Sequence, residues 1–388
     1  MSLVNMRKTV RSALAAALLG LIAFLPASPA VAAGTQIIYM NASGSDSAAG
    51  DSPATAVKTL ERVEQIVAAG PADQDVEVRI HSGTYTAHQT IWQTYRPGHT
   101  ISFMPDDYEI GGGADSIAAR PVFQNAQASG SERYITGYWF YACAGGSLNS
   151  GGTSALRFYY LKVQYYSSGG ISLDGSAGPC GGGYNPSSAP GQPSTRGLDG
   201  NTVFGMVFDS LGNKYTGGLC GDTDWPRCGY GGVVLTESSN NRIANNHFVN
   251  LRNTERSYIH AVYVTHKSSY NRFTGNNVTG VSSDPVKVRD GSNFNTFDAN
   301  VFGANSFLRT STPPAVHYLE EVNEDESECS SYHNRFTDNN LGIYLTGSSA
   351  NLPTWYLNPA GATWAGATGC PPLPTGETRL TTANNTYN

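Results

Sequence analysis

Charge is scarce in this sequence: Asp, Glu, Lys and Arg together make up 14% of 388 residues. A chain so poor in charge is not built of amphipathic surface helices, which need a polar face along their length. The net charge of −6 excludes a global nucleic-acid surface, so any cationic site must be local. Past the N-terminal segment there is no long apolar run, which leaves nothing to span a bilayer. The six cysteines never fall into a Cys-x-x-Cys metal spacing. Gly-x-Ser-x-Gly, His-Glu-x-x-His and the phosphate-loop motif are all missing, so the corresponding serine-hydrolase, metalloprotease and nucleotide-binding signatures are excluded.

What is present begins with a leader. Arg7, Lys8 and Arg11 precede an apolar run from Ala13 to Leu25, and a small-residue segment ends in Ala30-Val31-Ala32. This is the pattern of a secretory signal peptide over residues 1–32, with Pro26 and Pro29 following an apolar core too short for an anchor. The expectation is a secreted chain of residues 33–388 with no membrane segment after cleavage. In that setting disulfides persist. Cys143, Cys180, Cys220, Cys228, Cys329 and Cys370 then form three bridges; the connectivity stays open, and Cys220 with Cys228, closing a short loop, is the first expectation. The oligomeric state is not written in the sequence.

The remainder reads as all-β. Its 44 Gly and 22 Tyr, with many Asn, Ser and Thr, suit short strands joined by turns. Ile37-Ile38-Tyr39 and Val76 to His81 read as strands flanking a helix with Val57, Leu60, Val63 and Val67 on one face. Further on, one pattern recurs four times: Asn241-Ile243-Asn246-Phe248, Asn271-Phe273-Asn276-Val278, Asn295-Phe297-Asn300-Phe302 and Asn334-Phe336-Asn339-Leu341. Its copies start 30, 24 and 39 residues apart, mostly too close for four-stranded propeller blades but suited to a solenoid. In a solenoid each inward apolar residue sits about 4.8 Å above its equivalent, and asparagines at the bends form amide ladders. Asn201-Val203-Phe208 and Ile135-Phe140 are fainter copies upstream. The Gly-, Ser- and Pro-rich residues 174–230 read as a loop-rich insertion, and Asn323 to Cys329 as a second one; insertions of this kind gather over a binding face.

Tyr39-Met40-Asn41-Ala42-Ser43-Gly44-Ser45-Asp46, Ser52-Pro53-Ala54-Thr55, Lys58-Thr59-Leu60 and Ser82-Gly83-Thr84-Tyr85 resemble the opening of many secreted proteins of the pectate-lyase-like superfamily. The resemblance and the repeats point to one fold. It is a single-stranded right-handed parallel β-helix over residues 33–388, with an N-terminal cap at 37–85 whose helix covers the open end of the first rung.

Aligning the copies by their asparagines places residues of equal offset on neighbouring rungs. Tyr263 then lies over Lys287 and Thr265 over Arg289; His266 falls beside Asp290, and Lys267 has Glu237 one rung below and Gly291 above. With Val262, Val264, Val286 and Val288 inward, Tyr263, Thr265, Lys287 and Arg289 share an outer surface. The same alignment would turn Val233 and Leu235 outward. Residues 258–290 thus gather His260, His266, Lys267, Lys287 and Arg289 into a cationic patch, with Tyr258 and Tyr263 among them. Cations for carboxylates and rings for sugars suit a polysaccharide rich in uronic acid.

The run His266-Lys267-Ser268-Ser269-Tyr270-Asn271, with Gly275-Asn276 and Val288-Arg289-Asp290-Gly291, is similar to the catalytic stretch of the chondroitinase B and alginate lyase family. The resemblance implies β-elimination, with Lys267 as base and Arg289 as acid. It also implies calcium, but His260 and Val262 stand where that family places its acidic ligands, so no metal ligand is named. A base of this kind needs a depressed pKa, and Lys287 and Arg289 are expected to supply it by like-charge repulsion. His260, His266 and Tyr263 are alternates for base or acid. A rival reading uses Glu237, Asp284, Asp290, Glu320 and Glu321 as paired acids for glycoside hydrolysis or as substrate-binding groups. A third is a carbohydrate-binding β-helix without catalysis.

Overall fold

The computed structural model describes residues 34–125, 137–148, 151–176, 197–216, 228–254, 257–306, 315–323, 328–342, 351–358, 370 and 378–387. Their strands form three long parallel sheets that the chain visits in turn. The first has ten strands, from Gln36–Met40 to Leu380–Ala383. The second has nine, from Thr84–Ala87 to Thr386–Tyr387, and the third eight, from Thr90–Trp92 to Trp355–Leu357. This is the expected right-handed parallel β-helix.

The four copies of the repeat are its rungs. Ile243, Phe273, Phe297 and Phe336 stack in register in the first sheet, and Phe208, Phe248, Val278 and Phe302 in the second, all buried. In the third, Val233, Val262 and Val286 form one inward column and Leu235, Val264 and Val288 the next. Val233 and Leu235 therefore face in, not out, because the pairing continues without a slip onto Val262 and Val264.

Asparagine ladders close the bends. Asn201 Nδ2 donates to Asn241 Oδ1 at 2.8 Å and Asn241 Nδ2 to Asn271 Oδ1 at 2.8 Å. A second ladder runs Asn246, Asn276, Asn300, Asn339 and Asn385 at 2.9 to 3.0 Å. Each rung turns sharply just before its first ladder asparagine, with Asn240, Tyr270, Phe294 and His333 at φ between 57 and 61°. Those left-handed residues are costly individually and hold because the buried amides over-determine the bend.

At the N-terminal end the helix Leu60–Ala69 buries Leu60, Val63 and Val67, with the Thr59 side chain accepting from Arg62 N at 3.2 Å. Val57 lies before the helix, bridged to Met40. Glu64 accepts from Gln93 N at 2.6 Å and Thr94 N at 3.0 Å, so the helix takes the place of a rung beside Thr90–Trp92. The expected loop insertion at 174–230 needs correction, since a rung runs through it: Thr202–Phe204 and Val207–Asp209 join the first and second sheets. That rung shows only a weak pattern because Met206 stands where the other copies carry their second asparagine. A Cβ on Gly170 or Gly232 would lie 2.4 Å from the ring of Phe208 or Phe248. Cys329 bonds Cys370, and Cys143 and Cys228 are also disulfide-bonded. The expected Cys220–Cys228 pair and Ile135 lie partly or wholly outside the described residues, as does segment 1–32.

Candidate functional site

The third sheet turns its outer face to a cleft of about 460 Å³. Tyr263 and Lys287 pair across neighbouring strands there, as the repeat alignment requires. Thr265 pairs back with Thr236, the forward ladder ending at Val264 and Val288, and Arg289 pairs onward with Glu321. His260 reaches the same cleft through a bulge: Ala261 N at 2.9 Å and Val262 N at 3.2 Å both donate to Pro285 O, so Ala261 joins the core while His260 turns outward. Tyr230 and Tyr258 stack with ring planes 1° apart and form one wall. Glu321 and Asn323 form the other.

The contacts within the cleft are specific. Arg289 Nη1 donates to Tyr263 Oη at 2.9 Å, while its Nε and Nη2 grip Glu328 at 3.0 and 2.5 Å. Lys287 is ion-paired with Glu321, and its ammonium stands 5.5 Å from the centre of the Tyr263 ring. His260 Nδ1 lies 2.6 Å from Asp284 O; a carbonyl only accepts, so Nδ1 carries the proton and the basic lone pair of the neutral ring is at Nε2. Its ring centre is 5.5 Å from that of Tyr263. Burial opposes the charge on Arg289, but Tyr263, Glu328 and Glu321 more than offset it and hold the guanidinium above its ordinary range. Burial lifts the Glu328 carboxyl to about 7 against the pull of Arg289.

Of the residues singled out from sequence, Tyr258, His260, Tyr263, Lys287 and Arg289 come together in the cleft. Lys267 does not line it. It is 4% exposed, in a turn with φ of 63°, and burial lowers its pKa while Asp290 and Glu237 raise it. The expected like-charge effect of Lys287 and Arg289 is therefore replaced by desolvation. His266 binds Asp290 at 3.0 Å in the same turn, and Glu237 is fully buried beside it. Asp284 and Glu320 are also fully buried, Asp284 accepting from Val316 N at 2.9 Å and Glu320 paired with Arg379 at 2.5 Å. These four acids are buried, and of the five candidate acids Glu321 is the one that lines the cleft. Tyr230, Asn323 and Glu328 were missed because loop residues around 230 and 323–329 break the equal-offset rule, whereas Glu321 stood among the candidate acids.

Among the described residues no group of three or more His, Cys, Asp and Glu is placed to hold a metal ion. Among the described residues the one carboxylate lining the cleft is Glu321, ion-paired with Lys287. No described helix is long and apolar enough to cross a membrane.

No family model and no curated protein matches the sequence. Solved structures do resemble the fold. An alginate lyase from Paenibacillus sp. is 12% identical, with 91% of this chain and 95% of that one covered and a TM-score of 0.48. A pectate lyase is 12% identical over 83% and 77%, at 0.37, and a rhamnogalacturonan lyase 13% identical over 80% and 70%, at 0.41.

Proposed function

We propose that the chain is a secreted polysaccharide lyase that cleaves a polymer containing uronic acid by β-elimination in the cleft around Tyr263. The observation that carries this is one phenol held by Arg289 at 2.9 Å, with Lys287 over its ring and His260 beside it. Elimination needs a cation at the uronate carboxylate, a base at C5 and a proton donor at the leaving oxygen. Lys287 meets the carboxylate, sharing its charge with Glu321. His260 Nε2 takes the C5 proton, Tyr263 Oη gives its proton to the departing O4, and a C4–C5 double bond remains. Negative charge reaching the phenolic oxygen meets an Arg289 donor already in place. Tyr230 and Tyr258 offer a stacked aromatic wall for a neighbouring sugar. Lys267 holds the turn behind the cleft in this reading.

The test uses the full secreted chain on uronate polymers, with ultraviolet absorbance for the unsaturated product and a reducing-end assay in parallel. Tyr263→Phe and His260→Gln each lower kcat by about a hundred-fold or more. Full turnover in Tyr263→Phe removes the assignment. New reducing ends without absorbance mean hydrolysis, and an intact polymer means a binding module.

A further inference from the structure

Glu328 contacts Arg289 without itself lining the cleft. We propose that Glu328 is a positioning residue for Arg289, and that the Cys329–Cys370 disulfide sets the place of Glu328, coupling this bridge to turnover as well as to stability. The inference rests on the reading of the cleft given above.

Glu328 holds Arg289 side-on. Its Oε2 accepts from Nε at 3.0 Å, and its Oε1 is ion-paired with Nη2 at 2.5 Å, two contacts that hold the guanidinium side-on. Holding it so aims the remaining Nη1 at Tyr263 Oη. A single-point contact would leave the guanidinium free to rotate about its last bonds and lose this aim. The side chain of Glu328 is 1% exposed, so water does not substitute for it readily.

The carboxylate is itself held on both sides. Asn323 N donates to Glu328 Oε2 at 2.8 Å, and Glu328 N donates to Asn323 O at 3.1 Å, so the two residues hold each other. On the other side Cys329 N donates to Asp290 Oδ1 at 3.2 Å and Cys329 O accepts from Gly291 N at 2.8 Å. Asp290 and Gly291 directly follow Arg289 in the chain, so Cys329 is tied to the strand that presents the guanidinium. The bridge to Cys370, with Cα atoms 5.5 Å apart, pins the same point covalently. Without it, Glu328 is kept in place by its contacts with Arg289 and Asn323 and by the Cys329 hydrogen bonds alone.

Wild type, Glu328→Gln, Glu328→Asp and Cys370→Ser are compared for kcat and KM by product absorbance, with circular dichroism to confirm folding. Glu328→Gln keeps the shape but not the charge, and lowers kcat by about a hundred-fold with KM little changed. Glu328→Asp recovers part of that loss, because the charge returns at a shorter reach. Cys370→Ser lowers kcat by about ten-fold while its rungs stay folded; if it does not fold, wild type reduced and alkylated under native conditions takes its place. Wild-type turnover in Glu328→Gln overturns the positioning role, as does equal loss in the Gln and Asp variants that only tracks lost folding. Unchanged kcat without the bridge overturns the coupling. A wild type giving no unsaturated product fails the lyase reading, and this inference with it.

Discussion

At the scale of single residues, two lysines separate what sequence conveys from what it hides. Lys267 carried the motif resemblance, and Lys287 carried only its register to Tyr263. The structure buries the first among Asp290 and Glu237 and puts the second in the cleft. The difference lies in backbone, since the left-handed turn at His266 and Lys267 folds that side chain back beneath the surface. No residue-type rule signals this, because the turn depends on Asp290 one rung away. His317 shows the same dependence on surroundings. Its Nε2 lies 3.2 Å from Gly342 O and its Nδ1 is buried without a partner, so burial lowers its pKa from 6.5 to about 4. The unfolded chain therefore takes up a proton before the folded one does. Stability is complete above 6.5 and falls as pH drops toward 4, by roughly 3 kcal/mol in total. Urea midpoints measured across that window are expected to fall in wild type and to fall less steeply in His317→Gln; parallel curves would remove His317 as the cause.

At the scale of elements the sequence is more open, because a repeated contact leaves a repeated pattern. The asparagine ladders and inward phenylalanines were legible since each copy meets its own equivalent. The rung at 197–209 was fainter, because Met206 stands where the other copies carry their second asparagine. Ladder amides are more than decoration. Asn276 is fully buried, donates to Asn300 Oδ1 and Ile243 O at 3.0 Å, and accepts from Asn246 N and Nδ2 at 2.9 Å. Asn276→Ala strands those buried partners, at about 1–3 kcal/mol for each group left unsatisfied. A loss of at least about 3 kcal/mol in urea unfolding is expected, and a loss below about 1 kcal/mol would mean that water or a shift of the bend replaces the amide.

At the scale of the whole molecule, a parallel solenoid has no intrinsic length, so its ends decide whether further strands can add to it. Along the third sheet, rung after rung exposes strand groups only to the next rung, and the first strand, Thr90–Trp92, would be an open edge without the helix Leu60–Ala69. That helix is held by three buried apolar residues and by Glu64 reaching Gln93 N and Thr94 N. The cleft sits in the middle of the same sheet, on its fifth and sixth strands counted from this end. Cap and cleft are therefore separable. Val63→Asp puts a charge at a fully buried position and should lift the helix from the edge while leaving the rungs paired. Sedimentation is expected to show association that grows with concentration, with β circular dichroism retained and product absorbance per chain preserved at high dilution. A monodisperse Val63→Asp protein at every concentration would show that another segment guards the edge. Loss of activity at high dilution would show instead that the cap supports the cleft through the rungs between them.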